Sequence, residues 1–330
     1  IVDNNNLQID GEITKVNSPY PIDKKFVIAV ASSALFDLTE SDSVFKQQGE
    51  DKYREYQEKN IDKPFDKGVA YPFVKRLLNL NNSFPDVKPV EVILMSKNSP
   101  ETGERAFRSI EHYNLNISRA CFTSGKPNFK YLPAFNATLF LSANLQDVKE
   151  ALRNGYAAGR VLNKHYIKDD ENDNELRIAF DFDGVLADDS SEKVFQNTGG
   201  NMTKYFEHEK EYADKPLPKG PILDLLSKIS YYQNLEKKVA KKDDDYQRLL
   251  KTAIVTARNA PAHERVISSL KNWGINVDDA FFLGGIDKSR ILSILKPHIF
   301  FDDQLGHLDH LNNVPAVHIP FGIANTENNF

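Results

Sequence analysis

Short apolar runs alternate with helical patterns along almost the whole chain from Lys25 onward. Most of the runs are continuously apolar, which is typical of strands that helices cover on both faces of a parallel sheet. Strand-then-helix order repeated in this way predicts an α/β fold. The predicted strands are Phe26–Ala31, Val90–Ser96, Ala120–Thr123, Thr138–Ser142, Arg177–Asp181, Thr252–Thr256, Ala280–Leu283, His298–Asp302 and Val314–Ile319.

The chain also repeats itself in the same order, with small drifts in spacing. Residues 26–30 resemble residues 176–180 at an offset of 150 positions, and residues 140–143 resemble residues 300–303 at an offset of 160. A duplication with small insertions leaves this pattern, whereas two unrelated halves would match only by chance. We predict a tail or extended arm over residues 1–24, a first α/β repeat over 25–165 and a second over 166–330.

Composition and charge narrow the class of protein. A net charge of −5 and a pI of about 6.0 give no basic surface for a nucleic-acid backbone. No stretch of about 18 apolar residues is present, and the polar N-terminus lacks a signal-peptide pattern. The single cysteine, Cys121, excludes an internal disulfide and favours a reducing compartment. We expect a cytoplasmic protein that binds neither nucleic acid nor a membrane.

Two carboxylates, Asp181 and Asp183, follow the predicted strand that begins at Arg177. In an α/β sheet, ligands bind outside the carboxyl ends of the strands, where this segment emerges. An aspartate at the strand end can act as a nucleophile, and a second carboxylate two residues later can exchange protons. Acidic turns after strands are common, so this motif alone is only moderately specific.

Three further elements at strand ends make the acidic motif more specific. Thr256, followed by Arg258, can donate a hydrogen bond to a phosphate oxygen, and Lys288 opens a predicted helix with a counter-charge for a phosphoryl group. Asp302 and Asp303 would complete an oxygen-only Mg²⁺ site. Taken singly, Thr256 could be a strand cap, Lys288 a solvated lysine, and Asp302 with Asp303 an acidic loop. The order of all these residues along the chain favours a single site that binds phosphate and a metal.

This arrangement resembles the haloacid-dehalogenase (HAD) superfamily of phosphatases. It resembles more narrowly the bacterial and cytosolic type I 5′-nucleotidase family, over roughly residues 25–322. The segments that carry the narrower resemblance are Val27–Leu38, Ser96–Tyr113, Val255–Glu264, Phe281–Lys288 and Ile299–Gly306. The nucleophile motif of that family usually reads D-G-D-A-V, whereas Asp181–Val185 reads D-F-D-G-V, a departure that bears on substrate preference more than on chemistry.

The resemblance implies a HAD-like, Rossmann-type α/β fold with parallel sheets, internally duplicated, and a small helical cap inserted at about residues 187–250. It also implies that Asp181 attacks phosphorus to give an aspartyl-phosphate, and that Asp183 protonates the leaving oxygen and then activates water. Mg²⁺ would be held by Asp181, the backbone carbonyl of Asp183, and Asp302, with a contribution from Asp303. The residues expected to bind the phosphate group are Thr256, Arg258 and Lys288.

The N-terminal repeat lacks the carboxylates of this site. Aligning the repeats matches Asp181 with Ala31, Asp183 with Ser33, Thr256 with Met95, Asp302 with Ser142 and Asp303 with Ala143. We therefore predict that the N-terminal repeat is catalytically silent. Its role is open between a packing scaffold, a dimer surface, a wall of the nucleoside pocket and a binding site, for which Ser32, Ser33, Lys97 and Asn98 are the candidates.

Substrate choice is expected to depend on the segment from Ala187 to Lys219, where related phosphatases carry a cap. Aromatic side chains on a predicted helix there could stack on a nucleotide base. Aromatic residues along one face of a helix are, however, more often part of the hydrophobic core. The candidate substrate contacts are Phe182, Phe206, His208, Asn259 and His263. The closely spaced His307 and His310 lack a third nearby ligand in the sequence and are interpreted as surface histidines.

The most specific hypothesis is a 5′-nucleotidase, which hydrolyses nucleoside 5′-monophosphates with Mg²⁺. One alternative is a HAD phosphatase that acts on sugar phosphates or other small phosphomonoesters. A second is a non-catalytic nucleotide-binding protein, which the intact Asp181, Asp183, Lys288 and Asp302 disfavour. The sequence leaves the preferred base and sugar open, and a homo-oligomer is possible.

Overall fold

The computed structural model describes residues 8–9, 12–13, 20–162 and 169–326. Most of the expected tail and the expected boundary between the repeats, at residues 165 and 166, lie outside the described residues. Within the tail, Gln8–Ile9 and Glu12–Ile13 pair as two short antiparallel strands. Two more short strands, Phe36–Asp37 and Asp66–Lys67, form a separate antiparallel pair.

A ten-stranded sheet forms the centre of the molecule. Its strands are β1 (Phe26–Val30), β2 (Val90–Ser96), β3 (Arg119–Phe122), β4 (Ala137–Ser142), β5 (Ala158–Val161), β6 (Leu176–Phe180), β7 (Leu250–Thr256), β8 (Asp279–Phe282), β9 (Ile299–Asp302) and β10 (Ala316–His318). The spatial order is β8-β7-β6-β9-β10-β5-β4-β1-β2-β3. The mixed α/β architecture with a large, mostly parallel sheet confirms the predicted HAD-like, Rossmann-type class.

Helices cover both faces of the sheet, as the continuously apolar strands predict. They are α1 (Ser32–Leu35), α2 (Thr39–Lys59), α3 (Tyr71–Ser83), α4 (Pro100–His112), α5 (Leu145–Arg153), α6 (Ser190–Asn197), α7 (Met202–Glu211), α8 (Leu223–Ala240), α9 (His263–Trp273), α10 (Lys288–Leu295) and α11 (Leu305–Leu308). Short 3₁₀ turns lie at Ile22–Lys24, Phe129–Tyr131, Pro133–Phe135 and Ile323–Asn325. None of the helices in the described ranges combines the length and apolarity that a membrane crossing requires.

The two halves of the sheet share one strand order. Strands β1 to β5 are arranged as β3-β2-β1-β4-β5, and strands β6 to β10 as β8-β7-β6-β9-β10. Within each half every pairing is parallel, and β5 and β10 join the halves by an antiparallel pairing. Arg160 pairs with His318 at this junction, and the two residues occupy equivalent registers, opposite Ser142 and Asp302 respectively.

Strand β5 was not predicted from the sequence, and its antiparallel pairing with β10 joins the two parallel halves. The four residues Ala158–Val161 include a glycine and an arginine, and therefore lack the apolar run that marks the other strands. The registers correct a second detail. Ser96 and Thr256 pair with Phe122 and Phe282 respectively, so Ser96, not Met95, is the counterpart of Thr256.

One face of the sheet is covered by a single hydrophobic core that runs through both halves, whereas the other face carries two smaller clusters, one for each half. Helix α8 lies in the range expected for the cap insertion, but its Leu226 and Ile229 are buried in the shared core. The Tyr232 ring of α8 stacks on Phe26 at 5.9 Å between centroids. The two halves are therefore joined by core packing as well as by strand pairing.

Gly159 allows the close approach of the two halves. A Cβ atom at this position would overlap with Val317 Cγ1 and lie 3.0 Å from Ile319 Cδ1, and both neighbours are fully buried. Overpacking of a buried contact costs about 1–3 kcal/mol. We expect Gly159→Ala to lower the free energy of unfolding by that amount in urea titrations.

Gly306→Ala is the matched control, because a Cβ atom there meets nothing within 4 Å. It is expected to leave stability unchanged or slightly raised, since alanine favours the helix. Equal stabilities of the two variants would contradict the assigned close contact between β5 and β10.

Candidate active site

The carboxyl ends of β6, β7 and β9 meet at one edge of the C-terminal half of the sheet. The registers pair Phe180 with both Ile254 and Phe301, so the residues that follow these strands are neighbours. The Asp181 N–H donates to the Phe301 carbonyl at 2.8 Å, which extends the strand pairing to the acidic motif itself. The parallel registers therefore bring Asp181, Thr256 and Asp302 together, as predicted from their places at strand ends.

Lys288 connects two of the carboxylates. Its Nζ lies 2.9 Å from Asp181 Oδ2 and 2.7 Å from Asp302 Oδ2, and the three side chains are only 3%, 5% and 0% exposed. Lys288 is the first residue of α10. The side chain of Asp287, just before it, caps the helix by accepting a hydrogen bond from Ser289 N at 2.8 Å. A buried lysine without these partners would be costly, so the ammonium and the carboxylates stabilise each other.

The charges at the site shift the pKa values of the acids in different directions. Burial raises the pKa of Asp181 to about 6, against the opposing effect of Lys288. Burial also acts to raise the pKa of Asp302, but Lys288 and His307 hold it below its ordinary value. Burial, together with repulsion from Asp181 and Asp302, raises the pKa of Asp303 well above its ordinary value.

Arg258 holds the second acid of the motif. Its Nε and Nη2 each lie 2.7 Å from an oxygen of Asp183, in a bidentate pair. Its Nη1 lies 2.6 Å from Glu209 Oε2 and 3.2 Å from the Ala262 carbonyl. In this structure the guanidinium therefore donates to protein acceptors, whereas a phosphate contact was expected from the sequence.

Glu209, which was not predicted from the sequence, anchors the inserted helices to the site. Its carboxylate is 0% exposed and contacts Arg258, Arg265 and the Ser191 hydroxyl. Burial acts to raise the pKa of Glu209, but the two arginines and Ser191 hold it below its ordinary value. No local pattern marks this residue, because its two arginine partners lie 49 and 56 positions away along the chain.

Thr256 and Gly184 complete the walls of the site. The Thr256 hydroxyl is buried and accepts a hydrogen bond from Arg258 N at 3.2 Å, so its proton is free to be donated. Gly184 has a φ of +71°, and a Cβ atom there would lie 2.6 Å from Asp303 Cγ. Asp303 Oδ1 is buried and has no hydrogen-bond partner among the described residues.

The carboxylates at the site fit a divalent cation. Ligand atoms of Asp181, Asp302 and His307 lie within 4.8 Å of one another, and the buried Asp303 Oδ1 is an additional acceptor without a partner. Carboxylate oxygens are the donors that Mg²⁺ prefers. The interpretation of His307 as a surface residue is wrong, because its Nδ1 lies 3.1 Å from Asp302 Oδ2 and its ring is only 31% exposed.

Phe182 does not line the site. Its side chain is 0% exposed and stacks on Trp273 at 5.9 Å between centroids, so it belongs to the core. The expectation of a substrate contact at Phe182 is therefore wrong. The ring lies in the shared core, and the Arg258 guanidinium carbon is 5.5 Å from its centroid.

The other expected substrate contacts are partly accessible. His208 stacks on Tyr212 and lies 3.2 Å from Glu209 Oε1, and its neighbour Phe206 packs against Tyr205. Asn259 packs beside Gly284 in the turn after β8. His263 contacts Phe282 edge-on, and its buried Nδ1 lacks a partner within the described residues. Substrate contact by Phe206, His208, Asn259 and His263 stays a prediction.

Fold and site together define a HAD-like protein with an acidic site at the carboxyl ends of its strands. The family model for 5′-nucleotidase matches residues 18–326, so the chain belongs to the 5′-nucleotidase family. It is 36% identical over 308 residues to human cytosolic 5′-nucleotidase 1B, covering 91% of this chain and 49% of that protein. The chain thus spans about half the length of this curated relative. No solved structure matches the chain.

Gly184→Ala is expected to lower the free energy of unfolding by more than backbone strain alone would. Alanine in the left-handed region costs about 1–2 kcal/mol, and Asp303 would also have to move. Gly274→Ala is the matched control, with a φ of +67° and nothing within 4 Å of a Cβ atom. In urea titrations the Gly184 variant should lose at least about 1 kcal/mol more than the control, and equal losses would contradict the packing of Asp303 on Gly184.

Asp303→Asn is expected to raise stability at pH 7 in the presence of EDTA. Because the folded-state pKa of Asp303 lies above its unfolded value, the folded state binds this proton more tightly, and stability falls as the pH rises through the folded pKa. Removing the acid should gain about 0.5–2 kcal/mol in the free energy of unfolding. The gain should vanish below the unfolded pKa of about 3.9. No gain at pH 7 would contradict the inferred repulsion.

Proposed function

We propose that the protein is a Mg²⁺-dependent 5′-nucleotidase that hydrolyses nucleoside 5′-monophosphates to nucleoside and phosphate. The observation that carries the proposal is the buried Asp181 at a strand end, ion-paired to Lys288 and two residues before the arginine-bound Asp183. Membership of the 5′-nucleotidase family and similarity to a human cytosolic 5′-nucleotidase support it. A cytoplasmic location belongs to the same proposal.

Asp181 and Asp183 divide the chemistry between them. An oxygen of Asp181 attacks phosphorus, the bond to the nucleoside 5′-oxygen breaks, and that oxygen leaves with a proton from Asp183. Asp183 then takes a proton from a water molecule, whose oxygen attacks the same phosphorus and releases phosphate from Asp181. Both carboxylates return to their starting states, so the cycle balances in atoms and charge.

The cationic and hydroxyl groups of the site orient and stabilise the reacting groups. In this mechanism Lys288 and the Thr256 hydroxyl donate to phosphoryl oxygens, where negative charge accumulates. Arg258 orients Asp183 through its bidentate contact, and Glu209 holds Arg258 from the other side.

The proposed metal site uses Asp181, Asp302, Asp303 and the backbone carbonyl of Asp183. A bound Mg²⁺ would neutralise charge on the phosphoryl oxygens. Asp303 Oδ1 supports this assignment, because a buried carboxylate oxygen without a partner is costly unless a cation or water satisfies it. His307 contacts Asp302 and orients that carboxylate.

Asp181→Asn is expected to reduce phosphate release to the uncatalysed background, because an amide cannot form the acyl-phosphate. Asp183→Asn should lower kcat by about 10²–10⁴-fold, which is the usual contribution of a general acid and base. Asp224→Asn, on the exposed face of α8, is the control and should retain activity. Circular dichroism should show both active-site variants folded, and a fully active Asp181→Asn variant would overturn the assignment of the nucleophile.

The substrate class is tested by phosphate release from a panel of nucleoside 5′-monophosphates and sugar phosphates, with Mg²⁺ and with EDTA. Metal-dependent release from nucleotides is the expected result. Release from sugar phosphates alone would replace the proposal with a HAD phosphatase of another specificity. No release from any member of the panel would favour a non-catalytic nucleotide-binding protein.

A further inference from the structure

Asp303 is the acid of the candidate active site that the other side chains hold least. Lys288 forms ion pairs with Asp181 and Asp302, whereas the buried Asp303 Oδ1 has no hydrogen-bond partner among the described residues. The carboxylates of Asp181 and Asp302 repel that of Asp303. Repulsion of this kind favours displacement of the side chain, so the contacts that fix the backbone of Asp303 matter for the site.

The backbone carbonyl of Asp303 accepts hydrogen bonds from two side chains. His318 Nε2 lies 3.1 Å from this oxygen, and Asn325 Nδ2 lies 2.9 Å from it. The two side chains also contact each other, because His318 Nε2 is 2.9 Å from Asn325 Oδ1. Asn325 Nδ2 donates in addition to the Phe321 carbonyl at 2.9 Å. The imidazole and the amide thus form a closed set of hydrogen bonds around one carbonyl.

The imidazole of His318 is the donor in these contacts. Its side chain is fully buried, and its Nδ1 has no hydrogen-bond partner within the described ranges of the chain. Because Nε2 faces two acceptor oxygens, the single proton of the neutral ring belongs on Nε2. Burial lowers the pKa of His318, which favours the neutral ring. His318 therefore donates toward the Asp303 carbonyl and toward Asn325.

The peptide group between Asp303 and Gln304 is held at its other end as well. The Gln304 N–H donates to Asp302 Oδ1 at 2.8 Å. A peptide group is planar, so contacts at its carbonyl oxygen and at its N–H together fix the orientation of the whole plane. Tilting of this plane would move the Cα atom of Asp303 and break the contact with the Asp302 carboxylate. Fixing one carbonyl therefore restrains both acids.

Asn325 is itself held in place by the segment that follows β10. It ends a 3₁₀ turn, and its backbone N–H donates to the Gly322 carbonyl at 3.0 Å. The Ile323 N–H donates to Asp189 Oδ2 at 2.8 Å, just before α6. Gly322 has a φ of +76°, and a Cβ atom there would lie 2.8 Å from Asp189 Cβ. The turn is thus packed against the start of the insertion, which fixes where the amide of Asn325 lies.

The N-terminal half contains a counterpart of the His318 contact. Arg160 occupies the same register on β5 as His318 does on β10, and its Nε donates to the Ala143 carbonyl at 3.4 Å. Ala143 stands at the position of Asp303, directly after the strand. Both halves of the duplicated fold therefore place a donor from their last strand on this carbonyl, but only the C-terminal half carries a carboxylate there.

We propose that His318 and Asn325 are positioning residues, which hold the Asp303 carboxylate in the proposed Mg²⁺ site by fixing the Asp303 carbonyl. They act through Asp303 and are not assigned as metal ligands. This inference rests on the proposed function, because the positioning affects a cation only if the cation binds at Asp303. Loss of contacts that orient metal ligands typically changes metal affinity or activity by about 10–100-fold.

The test is calorimetric titration of the full chain with Mg²⁺ in the absence of substrate. His318→Leu and Asn325→Ala, which each remove a donor, are expected to weaken Mg²⁺ binding by about 10-fold. His318→Gln retains an amide N–H near the position of Nε2 and should bind Mg²⁺ more tightly than His318→Leu. In assays of phosphate release, the Mg²⁺ concentration that gives half the maximal rate should rise by a similar factor, and kcat at saturating Mg²⁺ should change less.

The matched control is Arg160→Met, which removes the equivalent donor from the Ala143 carbonyl. Because it also removes a positive charge, it is expected not to weaken Mg²⁺ binding. Thermal melts in EDTA identify any variant that fails to fold, and if His318→Leu does not fold, the half-buried Asn325 decides the outcome through Asn325→Ala.

Three results would overturn the inference and leave the proposed function standing. They are unchanged Mg²⁺ affinity in the folded donor-removing variants, equal losses in His318→Gln and His318→Leu, and a comparable loss in Arg160→Met. Absence of Mg²⁺ binding in the wild-type chain is a distinguishable result, because it would overturn the proposed metal site and this inference together.

Discussion

The buried ion pairs of Lys288 with Asp181 and Asp302 are the interaction on which the C-terminal half depends. Carboxylates so close together in a buried site repel one another, and the ammonium between them offsets that repulsion. Removing one partner of a buried ion pair typically costs about 3–5 kcal/mol, because the remaining charge is left uncompensated. Asp303 lies outside this pairing, and burial together with repulsion from Asp181 and Asp302 raises its pKa.

The same backbone is used twice with different side chains. In the C-terminal half the strand ends carry carboxylates, a lysine and an arginine, and the insertion contributes Glu209 to hold that arginine. In the N-terminal half, Gln57 Oε1 accepts from Arg105 at 3.1 Å, much as Glu209 accepts from Arg265. A neutral amide suffices there because no second arginine has to be held. The scaffold is thus independent of the chemistry, which depends on a few charged substitutions.

Much of the site could be predicted because strand ends are visible in a sequence. A continuously apolar run marks a buried strand, and the polar residue after it must emerge at the ligand-binding edge of the sheet; Asp181, Thr256 and Asp302 were found in this way. Phe182 was assigned wrongly because its side chain packs in the core. His307 was assigned wrongly because its partner, Asp302, is brought close by the turn between β9 and α11.

The sequence by itself determined the class of fold, the duplication and which candidate site residues lie at strand ends, because burial, periodicity and residue type are local properties. Only the tertiary structure decided how the halves join through β5 and β10, and how Arg258 bridges Asp183 and Glu209. It alone also showed that His318 and Asn325 donate to the Asp303 carbonyl. These features depend on distances between residues far apart in the chain, and those distances are fixed only when the sheet and its core assemble.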